Sequence, residues 1–329
     1  MEQKMYCYQC QEAAKNKACT IAGVCGKTAE VANLQYAALT MAKILGFWNR
    51  KAVKYDRTTK EISHYIVKIL FASITNANFD DEWFLEQIKH GAKLRNQIKD
   101  QIKDQIPDSA DFPKEVYWNP LTDEWTKEKI HDYGLAHNPL AEPNKDLRSL
   151  KELTFYGLKG MAAYLDHAIV LGYENQDIFE FIEETLADMI QSPNGIDYWV
   201  EKTLKTGEMG VQAMALLDEA NTTTFGHPEP TEVYLGVKDR PGILVSGHDL
   251  LDLKELLEQT EGKGIDVYTH GEMLPANAYP ELKKYKHLVG NYGGSWWHQK
   301  SEFESFNGPI LLTTNCLVPP KKSYIDRLY

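Results

Sequence analysis

The sequence predicts an α + α/β protein, with an amino-terminal cysteine-rich segment and helical bundles followed by an incomplete parallel α/β, Rossmann-like domain. Three observations carry this. Four of the five cysteines crowd into residues 7–25. Apolar residues then recur at helical spacing as far as residue 225. Beyond Phe225, short apolar runs alternate with charged helical stretches, the pattern of strands joined by helices. The expected divisions are 1–30, an iron–sulfur or other metal-binding segment; 31–225, helical; and 226–329, a partial α/β domain.

The elements follow in order. Residues 1–30 read as loop, with short cysteine spacings, Gly23 and Gly26. Leu34, Ala38, Met41 and Leu45 share one helical face, with Gly46 as a stop signal. His64–Ile74 reads as a buried helix. Asp80 is the N-cap of a long helix to about Ile106, whose Ile98, Ile102 and Ile106 form an apolar stripe flanked by charges. Residues 107–145 are rich in Pro, Asn and aromatics and read as a connection with one short helix near Asp123–Tyr133. Helices return at Asp146–Leu171, Gln176–Gln191, Gly195–Lys205 and Glu208–Ala220. Pro228, Pro230 and Pro241 mark the change of pattern. Gly242–Ser246, Ile265–Thr269, His287–Gly290 and Pro309–Thr314 read as strands, with a helix at Asp249–Glu261 and a helical turn at Pro280–Lys286. The glycines of 290–295 open no helix, so they are not a dinucleotide fingerprint.

Composition narrows the function. The chain has 329 residues, 43% hydrophobic and 25% charged, an ordinary globular balance with room for two domains. Its net charge of −11 repels phosphate backbones, so nucleic acid is not an expected partner. No stretch approaches the roughly 20 apolar residues of a membrane span. Met1–Tyr8, with Glu2 and Lys4, has no signal-peptide core. The expectation is a cytoplasmic protein without membrane contact.

Cys7, Cys10, Cys19 and Cys25 form C-x2-C-x8-C-x5-C. In a reducing compartment, such crowding points to metal more than to disulfides. Four thiolates suit either a tetrahedral zinc or an iron–sulfur cluster, and spacing alone does not choose between them. Unligated structural cysteines are the plainer alternative. A second constellation lies at three expected strand ends: His248 after the first, Glu272 after the second and Cys316 after the fourth. Ligands of open parallel sheets bind beyond the carboxyl ends of strands, and imidazole, carboxylate and thiolate all bind iron. Each residue also has a plainer reading: a hydrogen-bonded loop histidine, a helix-capping carboxylate and an inert buried thiol. His270, at the same edge, reads as structural or supporting, and as a weak candidate proton donor.

The run Met5-Tyr6-Cys7-Tyr8-Gln9-Cys10-Gln11-Glu12, with Cys19 and Cys25-Gly26-Lys27, resembles the opening of the hybrid-cluster proteins, the hydroxylamine reductase family. So do Gly247-His248-Asp249, His270-Gly271-Glu272-Met273-Leu274-Pro275 and Thr314-Asn315-Cys316. The resemblance runs from residue 5 to residue 329. It implies a [4Fe-4S] cubane on Cys7, Cys10, Cys19 and Cys25. It further implies that His248, Glu272 and Cys316 are ligands of a hybrid [4Fe-2O-2S] cluster. The implied activity is that of an oxidoreductase reducing hydroxylamine to ammonia and water, with nitric oxide as a further substrate and an electron-donor protein as partner. The resemblance also implies that this is an amino-terminal portion. The family continues with three more cysteine ligands and a glutamate, so the hybrid ligand set is incomplete here unless a second chain supplies it. The expected sheet is cut short with an open edge. The alternative is a non-catalytic iron–sulfur electron-transfer module or an inactive fragment.

Overall fold

The computed structural model describes residues 4–57, 60–107, 111–191 and 195–329. The first three residues of the cysteine-rich segment and residues 108–110 of the expected connection lie outside that range. The chain forms two compact units. One comprises Met1–Ile74, Phe79–Asp166 and Glu174–Leu216; the other comprises Thr75–Asn78, His167–Tyr173 and Leu217–Tyr329.

The first unit is built around α1 (Ala29–Val53). Thr28 caps it, its side chain accepting from the Val31 N–H, and Arg50 and Lys51 sit in the last turn, where the helix dipole favours cations. Most of α1 is buried on every side, as a central helix must be. α2 (Lys60–Ala72), α3 (Asp81–Ile102), α4 (Lys127–Ala136) and α6 (Gln176–Gln191) pack against it. α5 (Lys145–Val170) precedes α6, and α7 (Ile196–Phe225) follows it.

Two helix readings are corrected. Gly46 does not stop α1, because a Cβ there would lie 2.8 Å from the Glu183 carbonyl oxygen of α6. The glycine is a contact point between helices, and α1 runs on for two more turns. The two helices read at 195–220 are one, α7. Gly207 lies inside it with no neighbouring atom within 4 Å of its would-be Cβ, and an exposed glycine costs a long helix too little to break it.

The second unit holds a four-stranded parallel sheet in the order β3-β2-β1-β4: β1 (Gly242–Ser246), β2 (Asp266–His270), β3 (Leu288–Asn291) and β4 (Ile310–Leu312). α8 (Leu250–Thr260) joins β1 to β2, α9 (Pro280–Lys283) precedes β3, and α10 (Gln299–Ser305) precedes β4. Residues alternate between two buried layers, as a sheet covered on both faces requires. Val245 and Val267 pack with Leu253, Leu257 and Met273, while Leu244 and Tyr268 pack with Phe303, Phe306 and Ile310.

The expected open edge is not bare. At β4 the chain's last residues return: the Leu312 N–H donates to Tyr329 O at 2.9 Å, and the Tyr329 N–H to Ile310 O at 2.8 Å. At β3 the Asn291 N–H donates to Tyr234 O at 2.9 Å. Single bridges at both edges occupy backbone groups that would otherwise invite strand pairing.

Candidate metal centres

The cysteine segment belongs to the first unit. Cys7 and Cys19 face each other across two backbone hydrogen bonds of 2.9 Å each, and both are buried. Cys10 and Cys25 are half-buried. All five thiols of the chain are free of disulfides. The Ala14 N–H donates to Cys19 Sγ at 3.4 Å, the kind of amide–sulfur contact that tunes iron–sulfur thiolates. The loop after Cys19 turns at Gly23 and Gly26 and closes through the Gly23 N–H on Lys27 O at 2.8 Å.

The segment is strapped to the helices by its own backbone. The Tyr8 N–H donates to Tyr36 Oη at 2.9 Å, and Tyr156 Oη donates to Tyr8 O at 2.7 Å, so one peptide residue is held from both sides. Buried Gln9 accepts from Lys159 Nζ at 3.1 Å, and Asn33 Nδ2 donates to Lys4 O at 2.9 Å. Burial pushes the Cys7 thiol up. The charges of Lys27 and Lys159 and the Gln9 N–H pull the other way, stabilising a thiolate where one is needed. Burial, reinforced by Lys27, lowers Lys159, and nearby Glu152 opposes that. Sequence reading missed Tyr36, Gln9, Tyr156 and Lys159, because their partners lie 23 to 150 residues away.

The second constellation lies in the second unit, at the carboxyl end of its sheet. β1 leads on to β2 at one side and has β4 at the other. The gap between β1 and β4 is therefore the topological switch point, where α/β sheets bind ligands. His248 follows β1 and Cys316 follows β4. The two loops are tied: the His248 N–H donates to Thr314 Oγ1 at 2.9 Å, and the Asp249 N–H to Thr313 Oγ1 at 3.3 Å. Gly247, at φ +127°, allows this approach, since a Cβ there would stand 2.3 Å from Thr313 Oγ1.

His248 Nδ1 lies 2.8 Å from Asn315 O. A carbonyl only accepts, so Nδ1 carries the hydrogen and Nε2 keeps its lone pair, the arrangement of a metal-binding imidazole. Burial pushes His248 down, which keeps it neutral. Cys316 is pushed up to about 11 by burial and then by the charge of Glu272. Glu272 therefore acts on both His248 and Cys316. Gln299 Nε2 holds Cys316 O at 2.7 Å, and the Leu317 N–H donates to Asn76 O at 2.7 Å.

His167 is a participant the sequence did not reveal. Its ring stacks on His248 at 6.4 Å between centroids, and its Nδ1 is 3.7 Å from Asp249 Oδ2. Burial alone would raise Asp249, but His167 and the Asp252 and Leu251 amides hold it below the usual carboxylate range. His270 is fully engaged, with Nε2 2.8 Å from Glu302 Oε2 and Nδ1 3.2 Å from Ser246 Oγ. It braces the strand end. Among the described residues, no three His, Cys, Asp or Glu side chains gather as the ligands of a single metal ion.

A helical unit carrying a four-cysteine loop, with a parallel sheet bearing His248 and Cys316 at its switch point, defines a class of α + α/β proteins. Within that class, the chain belongs to the Prismane/CO dehydrogenase family, whose model matches residues 5–329. It is 51% identical over 330 residues to a hydroxylamine reductase of Halothermothrix orenii, covering 99% of this chain and 59% of that protein. It is 51% identical over 327 residues to that of Bacteroides thetaiotaomicron, covering 99% and 58%. For Caldanaerobacter subterraneus subsp. tengcongensis the figures are 50% over 328 residues, covering 99% and 59%. The chain thus spans under two thirds of the length of these curated relatives. These shares do not carry the expectation that it is their amino-terminal portion. No helix among the described residues is long and apolar enough to cross a membrane.

Proposed function

We propose that this chain serves hydroxylamine reduction, the activity for which its relatives are named, with Cys7, Cys10, Cys19 and Cys25 holding a [4Fe-4S] cluster. The observation that carries this is the cysteine loop: four free thiols in 19 residues, an amide aimed at one sulfur and two lysine charges beside another. The four thiolates of a cubane each bind a different iron, so they stand further apart than the ligands of one zinc ion.

His248, Glu272 and Cys316 fit part of the hybrid cluster. The chemistry of the donor set supports this, because a tautomer-fixed imidazole and a thiol flank the switch point, and the Glu272 carboxylate, after β2, acts on both through its charge. Bound iron would supply the electrons and an open coordination position. The chain's own residues do the rest. Asn315 O fixes the His248 ring and Thr314 Oγ1 its backbone N–H, buried Gln299 fixes the backbone at Cys316, and the Gly247 turn brings β1 and β4 together. Hydroxylamine would take up two electrons and two protons and leave as ammonia and water. An electron-donor protein is the implied partner.

The test is ammonia formed from hydroxylamine against oxidation of a reduced viologen, by anaerobically purified chain of known iron content. Turnover that disappears in His248→Ala supports the reading. Full iron loading with no turnover would instead support the electron-transfer module. That second reading is favoured by the single cysteine, Cys316, outside the amino-terminal loop.

A further inference from the structure

The cysteine loop turns an apolar tip to solvent. Ile21 is 89% exposed and Val24 64% exposed, more than most large apolar residues of the chain, and they lie two residues from Cys19 and one from Cys25. Lys15 and Lys17 on the same loop are exposed, as is Lys4 before it, and Glu12 is the one exposed acid among residues 4–26. Lys27 by contrast is buried, its ammonium donating to Gln35. The exposed side chains of residues 4–26 thus carry three positive charges, those of Lys4, Lys15 and Lys17, against one negative, on a chain of net charge −11. Lys15 stands at φ 57°, where glycine or asparagine is the strain-free choice.

We propose that this face, centred on Ile21, Val24, Lys15 and Lys17, is the docking surface for a small acidic iron–sulfur protein that donates single electrons. The inference rests on the cluster reading above. Electron-transfer encounters use small interfaces. An apolar centre excludes water and lets two redox centres approach, while surrounding charge steers the partner. An acidic donor is repelled by the net charge of the chain and attracted by the lysines of this loop, which orients it toward the half-buried Cys10 and Cys25. In the step itself the donor loses one electron and the cluster gains it; no bond forms or breaks.

The test uses a reduced acidic [2Fe-2S] ferredoxin as probe, with basic cytochrome c as a second probe. Binding to the iron-loaded chain is measured by titration calorimetry at low and physiological salt, and electron transfer by stopped flow. In Lys15→Glu/Lys17→Glu, ferredoxin affinity is expected to fall about tenfold or more and to lose most of its salt dependence. Ile21→Ser/Val24→Ser weakens binding without changing that salt dependence. Iron content and reduction by dithionite stay as in the unmodified chain. Unchanged ferredoxin affinity in the charge-reversed variant, or tighter binding of cytochrome c than of ferredoxin to the unmodified chain, overturns the docking surface alone. A chain that binds no iron or labile sulfide overturns the cluster reading, and this one with it.

Discussion

The strap on Tyr8 makes the cysteine loop's stability separable from that of the bundle beneath it. Tyr36→Phe and Tyr156→Phe each delete one hydroxyl and leave the ring in place. The Tyr8–Tyr156 ring contact, 5.9 Å between centroids, is then preserved. A hydrogen bond of this kind contributes about 1 kcal/mol net, and a buried group left without its partner costs about 1–3 kcal/mol. Tyr36 is only 4% exposed, so Tyr36→Phe belongs toward the upper end. The double variant should lose about 2–4 kcal/mol of loop stability, less than additively, because both hydroxyls grip the same residue. If the loop must open before iron leaves, the rate of iron transfer to a chelator rises by about 30-fold to 700-fold, at about 1.4 kcal/mol per factor of ten. The assay is anaerobic iron release followed by absorbance, alongside thermal melting by circular dichroism. Release within twofold of the unmodified chain would refute the strap. A fall in melting temperature that fully accounts for faster release would show that the hydroxyls hold the bundle rather than the loop.

Three further outcomes follow from packing and charge. In Gly134→Ala, the new Cβ would meet the Asn33 carbonyl oxygen of α1 at 1.8 Å; backbone must move, and denaturant unfolding should show a loss of at least about 1–3 kcal/mol. Gly247→Ala strains a positive φ and strikes Thr313 Oγ1, so it should part the β1 and β4 loops and lower metal uptake at the switch point, read by iron content, while the helical circular dichroism is kept. Glu183 is buried, with its pKa raised by burial and Ser63 Oγ donating to it at 2.7 Å. A raised carboxyl pKa means the folded state binds the proton more tightly, so the stability it confers is complete below the unfolded value near 4.5 and is lost as pH rises through the folded value. Glu183→Gln should therefore gain on the unmodified chain as pH rises toward neutrality, and unfolding curves at several pH values that run parallel for the two would contradict this.

Much of this architecture was legible in local patterns. Asp80 and Asp249 announce α3 and α8, and each accepts helix amides as an N-cap should. The run Gly242–Ser246 is β1 to the residue, because a buried parallel strand is apolar throughout and bounded by turn residues. The ends of α1 and the unity of α7 were not legible, because a glycine's meaning depends on what faces it. Gly46 faces a carbonyl and Gly207 faces nothing. The strand order could not be read at all, since pairing is non-local, yet that order is what puts His248 and Cys316 on adjacent strands. The residues that grip the two sites were invisible for the same reason: Tyr156 and Lys159 reach back 148 and 150 residues, and His167 comes from α5.

The central claim is that the four amino-terminal cysteines hold iron and sulfur. The most direct measurement is iron, zinc and acid-labile sulfide per chain after anaerobic purification, with electron paramagnetic resonance of the reduced sample. The account predicts about four irons and about four sulfides per chain from this site, with a cubane signal lost on replacing Cys7 or Cys19 by serine. One zinc per chain with no labile sulfide would contradict it.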